Sequence, residues 1–188
     1  MSDERVTPGK TPVANLQKHI ARYNLALQFC DGKEVLDIAC GTGYGTNMLS
    51  WVAKMVIGVD ISSEAIKIAK SRYSGPGVMF LELDLLEFDI ARPADTVISF
   101  ETIEHIEDLQ ATQEKLSSLL KPGGTIVYSV PLHESYENEH HHHKFTLETG
   151  LTLFPEFHNT SYVVQKGINF VGKDLCQPFT YLVVSKTK

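Results

Sequence analysis

Two short stretches of this 188-residue chain gather side chains that can move protons or hold cations. One is FETIEHIED, Phe100 to Asp108, and the other is EHHHHKF, Glu139 to Phe145. If the first begins a helix, Glu101, Glu104 and His105 fall at i, i+3 and i+4 and share one face. Two carboxylates and an imidazole so placed make either part of a magnesium or manganese site or a general base with an acid to orient it. A helix start with acids favourable to its dipole explains the same residues without any chemistry. The four histidines admit three uses: metal ligands, a substrate clamp or a solvated loop. Consecutive residues point in different directions, so all four cannot meet on one ion, and neutral imidazoles suit zinc or nickel better than magnesium. An affinity tag is a poor explanation, because about forty residues of ordinary folded sequence follow.

A third stretch, DIACGTGYG from Asp37 to Gly45, holds glycines at 41, 43 and 45. They let backbone pass close to a ligand, and the helix that follows offers its N–H groups. No GxxxxGK[ST] is present, which removes a P-loop, and the full GxGxxG of a dinucleotide site is missing. Asp60 follows Gly43 by about seventeen residues, where an acidic side chain accepts from both hydroxyls of a ribose. Asp84 with Leu85 beside it offers an acceptor for an exocyclic amine next to an apolar wall. Ribose, purine and a flat glycine floor together describe an adenosine-containing ligand.

These loops need strands and helices to carry them. Glu34–Ala39, Met55–Asp60, Val78–Leu83, Thr96–Phe100 and Thr125–Val130 are short apolar runs rich in β-branched residues, the pattern of buried parallel strands. Helical spacing predicts a helix over Val13–Phe29 before the first strand, with Leu16, Ile20, Tyr23 and Leu27 on its apolar face. Further helices are expected over Tyr44–Ala53, Ser63–Tyr73 and Asp108–Leu120, the last stopped by Lys121-Pro122-Gly123-Gly124. Alternating strands and helices predict a doubly wound α/β sheet, mostly parallel. After Pro131 come a polar loop, a helix over Leu147–Phe157, and two strands near Ser161–Gln165 and Thr180–Ser185, expected as a terminal hairpin closing the sheet edge.

The length is about one domain's worth, so a single domain over residues 1–188 is expected, with 1–12 a loose leader and 132–146 a lid over the site. No apolar run approaches the roughly 20 residues needed to span a bilayer, and no secretion signal is visible, which points to a cytoplasmic protein without a membrane partner. Three widely spaced cysteines, Cys30, Cys40 and Cys176, give neither a disulfide framework nor a zinc pattern and read as buried, reduced thiols. A net charge of −6 makes nucleic acid a less favoured partner and small molecules the favoured one. Nothing in the chain fixes its oligomeric state.

VLDIACGTGYG, GVDIS, ELDLL, ADTVISFETIEHIED and LLKPGGTIVYSVP resemble the successive motifs of the class I S-adenosylmethionine-dependent methyltransferases, in order and at normal spacing over Glu34–Pro131. The resemblance implies a Rossmann-like methyltransferase fold with a seven-stranded sheet. It also implies S-adenosylmethionine as cofactor, with Asp37, Ala39, Gly41 and Gly43 around its methionine end. Asp60 would take the ribose, Ile61 and Leu85 the adenine faces, Asp84 the adenine amine, and Phe100 would join the cofactor contacts. Ala39 stands where the family usually has its first glycine.

A branch that methylates the 2′-hydroxyl at the 3′ end of small RNAs is similar in its ExxEH after strand four and a later His in an HKF context, which jointly hold a divalent metal. Carried over, Glu101, Glu104, His105 and His143 become the metal set (magnesium, manganese or zinc), and His105 and His143 the catalytic candidates. Ubiquinone-pathway O-methyltransferases are similar in the ExxEH, and many relatives that carry it use no metal. The expected activity is O-methylation of a small hydroxylated compound. A 2′-O-methyltransferase of RNA ends is the alternative, opposed by the acidic charge and by arginines only at 5, 22, 72 and 92. A cofactor-binding module without catalysis is the third reading.

Overall fold

The computed structural model describes residues 6–87, 89–132, 140–171 and 180–188, which divide into two compact units, Met1–Phe88 and Asp89–Lys188. Cys176, Glu139 and residues 133–138 of the expected lid lie outside the described residues.

In the first unit the order is α1 (Val13–Ala26), β1 (Glu34–Ile38), α2 (Tyr44–Leu49), β2 (Met55–Asp60), α3 (Ser63–Tyr73) and β3 (Val78–Glu82). The strands are parallel in the order β3-β2-β1, as their continuous apolar runs require. Ser62 caps α3 by accepting from the Ala65 amide, and Glu64 in the first turn with Lys70 and Arg72 in the last complement the helix dipole. Cys40, Ile66, Ala69 and Phe80 form a core cluster under the start of α2. The α2 helix ends at Leu49, short of the expected Ala53.

The second unit holds β4 (Ala94–Phe100), a 3₁₀ turn (Ile103–His105), α4 (Leu109–Ser118), β5 (Leu120–Leu132), α5 (Leu147–Leu151), β6 (His158–Lys166), β7 (Asn169–Val171) and β8 (Thr180–Thr187). Asp108 caps α4 through the Ala111 amide. β4 and β5 run parallel, while the β5–β8, β8–β6 and β6–β7 pairs are antiparallel. Eight strands are described where seven were expected, the short β7 being the addition. The Lys121–Gly124 stop does end the helix, but it lies inside β5 as a bulge, with Ala94 opposite Leu120 and Thr96 opposite Thr125. α5 is one turn and a half, not the helix to Phe157 that was expected. Beyond it Phe154 and Phe157 are core: both are buried, their ring centroids 5.5 Å apart, with Tyr128 5.3 Å from Phe154.

The antiparallel ending is present, but β8 does not close an edge. It lies between β5 and β6, and β7 is the outer strand. Lys186 on β8 is 4% exposed; its ammonium donates to the carbonyls of Leu153 and Phe154 and so holds the chain after α5, and burial pulls its pKa down.

Candidate active site

The turn after β1 has an unusual backbone. Ala39 (φ 56), Gly41 (φ 56) and Gly43 (φ 81) are all left-handed. Gly43 admits no side chain, since a Cβ there would come within 2.6 Å of the Ala69 Cβ and 2.8 Å of the Phe80 ring. Ala39 tolerates its conformation at a cost of roughly 1–2 kcal/mol, the penalty that a glycine would avoid. It is exposed, whereas Asp37 is 0% exposed. The carboxyl of Asp37 accepts from Thr46 Oγ1 at 2.6 Å and from the Tyr23 hydroxyl at 3.1 Å. Burial pushes its pKa up to about 7, against the pull of those two hydrogen bonds, and the Asp60 charge adds to the rise. Asp37 thus lies beneath the turn, and Ala39 and Gly41 form the part that meets solvent.

Asp60 ends β2 with both oxygens engaged by backbone: Oδ2 accepts from the Gly41 amide and Oδ1 from the Ser62 amide, each at 2.8 Å. A carboxylate offers about four acceptor positions, so lone pairs remain for a diol while the acid shapes the glycine turn. The Leu83 amide donates to the Asp60 carbonyl at 3.1 Å, which joins the loops after β2 and β3. On these loops Ile61 is 69% exposed, Leu83 40% and Leu86 38%, beside the two acids Asp60 and Asp84. Asp84 uses Oδ1 to accept from the Leu86 amide, and Leu85 is buried. Exposed apolar side chains flanking partly engaged carboxylates suit a ligand that is flat and apolar at one end and bears hydroxyls at the other. The residues present therefore fit an adenosine group.

In the second unit, Phe100 is buried at the end of β4 and the chain turns sharply at Glu101, whose φ is 52. Ser129 of β5 fixes that turn: its Oγ accepts from the Glu101 amide at 3.2 Å and donates to Glu101 Oε1 at 3.0 Å. The expected helix face does not form, because only Ile103–His105 makes a 3₁₀ turn and Glu101 lies before it. Glu104 is 0% exposed.

The segment from His140 onward is tied to this turn mainly by backbone. The amides of His142 and His143 both donate to the Glu104 carbonyl, at 2.8 and 3.3 Å. Nδ1 of His105 lies 2.9 Å from the His140 carbonyl; a carbonyl only accepts, so Nδ1 carries the hydrogen, which leaves the lone pair of the neutral ring on Nε2. His143 Nε2 donates to the Ile106 and Glu107 carbonyls at 2.9 and 3.1 Å. Phe145 is buried and bridges to Leu132. Among the described residues, one set of ligand atoms converges: Glu104, His105 and His141 each offer an atom within 4.8 Å of the others. Glu101 and His143 are not in it. One carboxylate with two imidazoles fits zinc or a similar nitrogen-seeking ion better than magnesium.

A family model of methyltransferase domains matches residues 35–124. The chain is 30% identical over 133 residues to a probable S-adenosylmethionine-dependent methyltransferase of Mycolicibacterium smegmatis, covering 70% of this chain and 51% of that protein. Over residues 35–124 the chain is thus similar to methyltransferase domains. It is also 33% identical over 141 residues to a malonyl-[acyl-carrier protein] O-methyltransferase of Acetivibrio thermocellus, covering 72% and 48% of the two chains. It spans about half the length of these curated relatives. The N-methyltransferase NodS of Bradyrhizobium japonicum WM9, solved with S-adenosylhomocysteine, shares the α/β Rossmann-like fold. Its TM-score is 0.77 at 20% identity, over 95% of this chain and 89% of that one.

Tyr23, Thr46 and Ser129 had no functional signal in the sequence, and His141 had none that set it apart from its three neighbours. Tyr23 read as an apolar helix position, and its hydroxyl found Asp37 only through folding. His141 was one of four equivalent histidines until the backbone path separated them.

Proposed function

We propose that the chain is a methyltransferase that uses S-adenosylmethionine to O-methylate a small hydroxylated acceptor, with residues 1–188 acting as one methyltransferase domain. The single observation that supports this most is the His105 imidazole, which is held through Nδ1 by the His140 carbonyl and offers a ring nitrogen within 4.8 Å of a carboxylate oxygen of the buried Glu104. The cofactor, when bound, supplies an electrophilic methyl on a charged sulfur. The residues of the chain do the rest. Ala39, Gly41 and Gly43, with Asp37 below them, shape the floor for the methionine end. Asp60 holds the ribose, Ile61 and Leu85 the adenine faces, and Asp84 the adenine amine, while Phe100 adds an apolar contact. His105 Nε2 accepts the acceptor's hydroxyl proton, a task for which a positioned base typically contributes 10²- to 10⁴-fold.

A metal-assisted version of this reading is favoured by the convergence of Glu104, His105 and His141. Bound there, a divalent ion would polarise the acceptor oxygen. For ligation through Nε2, the His140 carbonyl on Nδ1 of His105 is the usual support for a ligating imidazole. Glu101 and His143, the remaining members of the ExxEH and HKF set, would serve as outer supports. The RNA-end reading draws on the same cluster; a net charge of −6 and the burial of Arg22 speak against it. Buried free thiols at Cys30 and Cys40, the former pushed up to about 12 by burial, suit a reducing, cytoplasmic setting. No helix among the described residues is long and apolar enough to cross a membrane.

The test is calorimetry of S-adenosylhomocysteine with metal-stripped protein and, beside it, turnover of S-adenosylmethionine with a panel of hydroxylated acceptors, each repeated with magnesium, manganese and zinc. Cofactor binding together with product formation on a hydroxyl supports the reading. Cofactor binding with no product on any acceptor, amines and RNA ends included, favours a non-catalytic module; no cofactor binding at all sinks the proposal.

A further inference from the structure

The glycine turn is held from below by a side chain on α1. Three of its residues, Ala39, Gly41 and Gly43, take left-handed conformations at alternate positions, a shape that a free chain seldom adopts and that persists only where the surroundings over-determine it. Asp60 restrains one side through the Gly41 amide. The other restraint is Tyr23. Its hydroxyl lies 3.1 and 3.4 Å from the two oxygens of Asp37, at the start of the turn. Thr46, in the first turn of α2 at the far end, donates to the same carboxyl. The Tyr23 ring fills the space that a Cβ on Gly45 would need, and it meets the Tyr44 ring edge-on with centroids 5.8 Å apart. One buried side chain, 5% exposed, therefore touches both ends of the turn.

A purely structural role does not require this chemistry. A buried carboxyl is costly without hydrogen bonds, and an apolar trio of similar volume packs at least as well. What two hydroxyls on one carboxyl add is a fixed distance between the end of β1 and the start of α2, which sets the curvature of the backbone between them.

We propose that Tyr23 is a positioning residue for the cofactor turn, acting through Asp37 and Thr46 to hold residues 39–43 in the shape that receives the amino-acid half of the cofactor. The proposal rests on the cofactor reading given above. It makes a selective claim: the adenosine half is held by Asp60, Asp84 and Leu85 on the loops after β2 and β3, whereas the Tyr23 hydroxyl acts on Asp37.

The experiment compares S-adenosylhomocysteine with 5′-methylthioadenosine, which lacks the amino-acid half, as calorimetric ligands of the full chain, at a temperature where each variant is fully folded. In Tyr23→Phe the ring and its packing stay and only the hydroxyl goes. S-adenosylhomocysteine is expected to bind about fivefold or more weakly, the scale of one lost hydrogen bond, and 5′-methylthioadenosine within about twofold of wild type. Thr46→Val, which removes the other donor to Asp37, is expected to show the same selectivity and serves if the first variant folds poorly. Loss of both ligands to the same degree, or of neither, overturns the proposal, because it marks the hydroxyl as ordinary core. A wild type that binds neither ligand overturns the cofactor reading itself and the positioning role with it.

Discussion

The imidazole of His105 is hydrogen-bonded through Nδ1 to the main-chain carbonyl of His140, 35 positions later in the chain. The histidine run therefore bears on the site first through its backbone: one carbonyl sets the tautomer of His105, and two amides converge on the Glu104 carbonyl. The side chains of the run differ in their roles, with His141 turned edge-on to the His105 ring at a centroid distance of 4.5 Å and His143 spent on the Ile106 and Glu107 carbonyls.

If His105 acts at the acceptor, His105→Ala should leave S-adenosylhomocysteine affinity within about twofold and lower kcat by roughly 10²-fold or more. Calorimetry and turnover on the same preparation read the two separately. Equal loss of both would move His105 into the cofactor pocket.

For a nitrogen-rich ion, the informative pair is His141→Ala and His143→Ala. Zinc titrated into metal-stripped protein should lose affinity by about 10-fold or more in the first variant and little in the second. Retained zinc binding in His141→Ala, with loss in His143→Ala, would return the ligand role to the HKF histidine.

Asp60→Ala removes both the expected ribose acceptor and the strut on the Gly41 amide. Affinity for S-adenosylhomocysteine should fall at least about tenfold, which corresponds to about 1.4 kcal/mol. Unchanged affinity would displace the ligand from the end of β2.

Asp37 predicts a pH dependence of stability. Its folded-state pKa is raised to about 7, above its ordinary value of 3.8, so the folded protein holds this proton more tightly than the unfolded chain. That stabilisation is complete below the unfolded value and is lost as pH rises from about 4 through about 7, on the order of a few kcal/mol in total. Urea midpoints for wild type should fall across this window relative to Asp37→Asn, which cannot ionise. Parallel profiles for the two proteins would show that Asp37 titrates normally.

Ala39 and Glu101, left-handed non-glycine residues just after β1 and β4, should respond differently to glycine. Ala39→Gly relieves strain at a solvent-facing position and should raise stability by up to about 1 kcal/mol, or about 2–4 °C in Tm, with cofactor affinity kept. Glu101→Gly relieves the same strain but removes a carboxylate that Ser129 holds in place. Its Tm should be unchanged or higher while turnover falls by about tenfold or more. Full turnover in Glu101→Gly would mean that only the bend matters.

Much of this was legible in the sequence because it is local. The apolar runs of β1 to β5, the glycine turn and Asp60 at the end of β2 are set by neighbours in the chain, and they occur where period and composition place them. The Glu101–His105 geometry was not legible, because the i, i+3, i+4 rule presumes an α-helix. A Ser129 contact from the next strand instead bends the chain at Glu101 and leaves a single 3₁₀ turn. Nor does a run of identical histidines say which one reaches Glu104, since that is decided by how residues 140–145 anchor on Leu132 and on the Glu104 carbonyl. β7, three residues long and half exposed, carries too little apolar pattern to be read as a strand.

The place of β8 between β5 and β6 has a consequence for how the protein is made. During synthesis β6 emerges from the ribosome with no neighbour on its inner side, because the strand that separates it from β5 is translated afterwards. Until residues 180–187 arrive, the β5 edge carrying Tyr128 and Val130 stays open, so assembly of this part of the sheet waits for β8. A chain stalled before Thr180 would present two unsatisfied strand edges at once, a natural target for holding chaperones and for proteolysis.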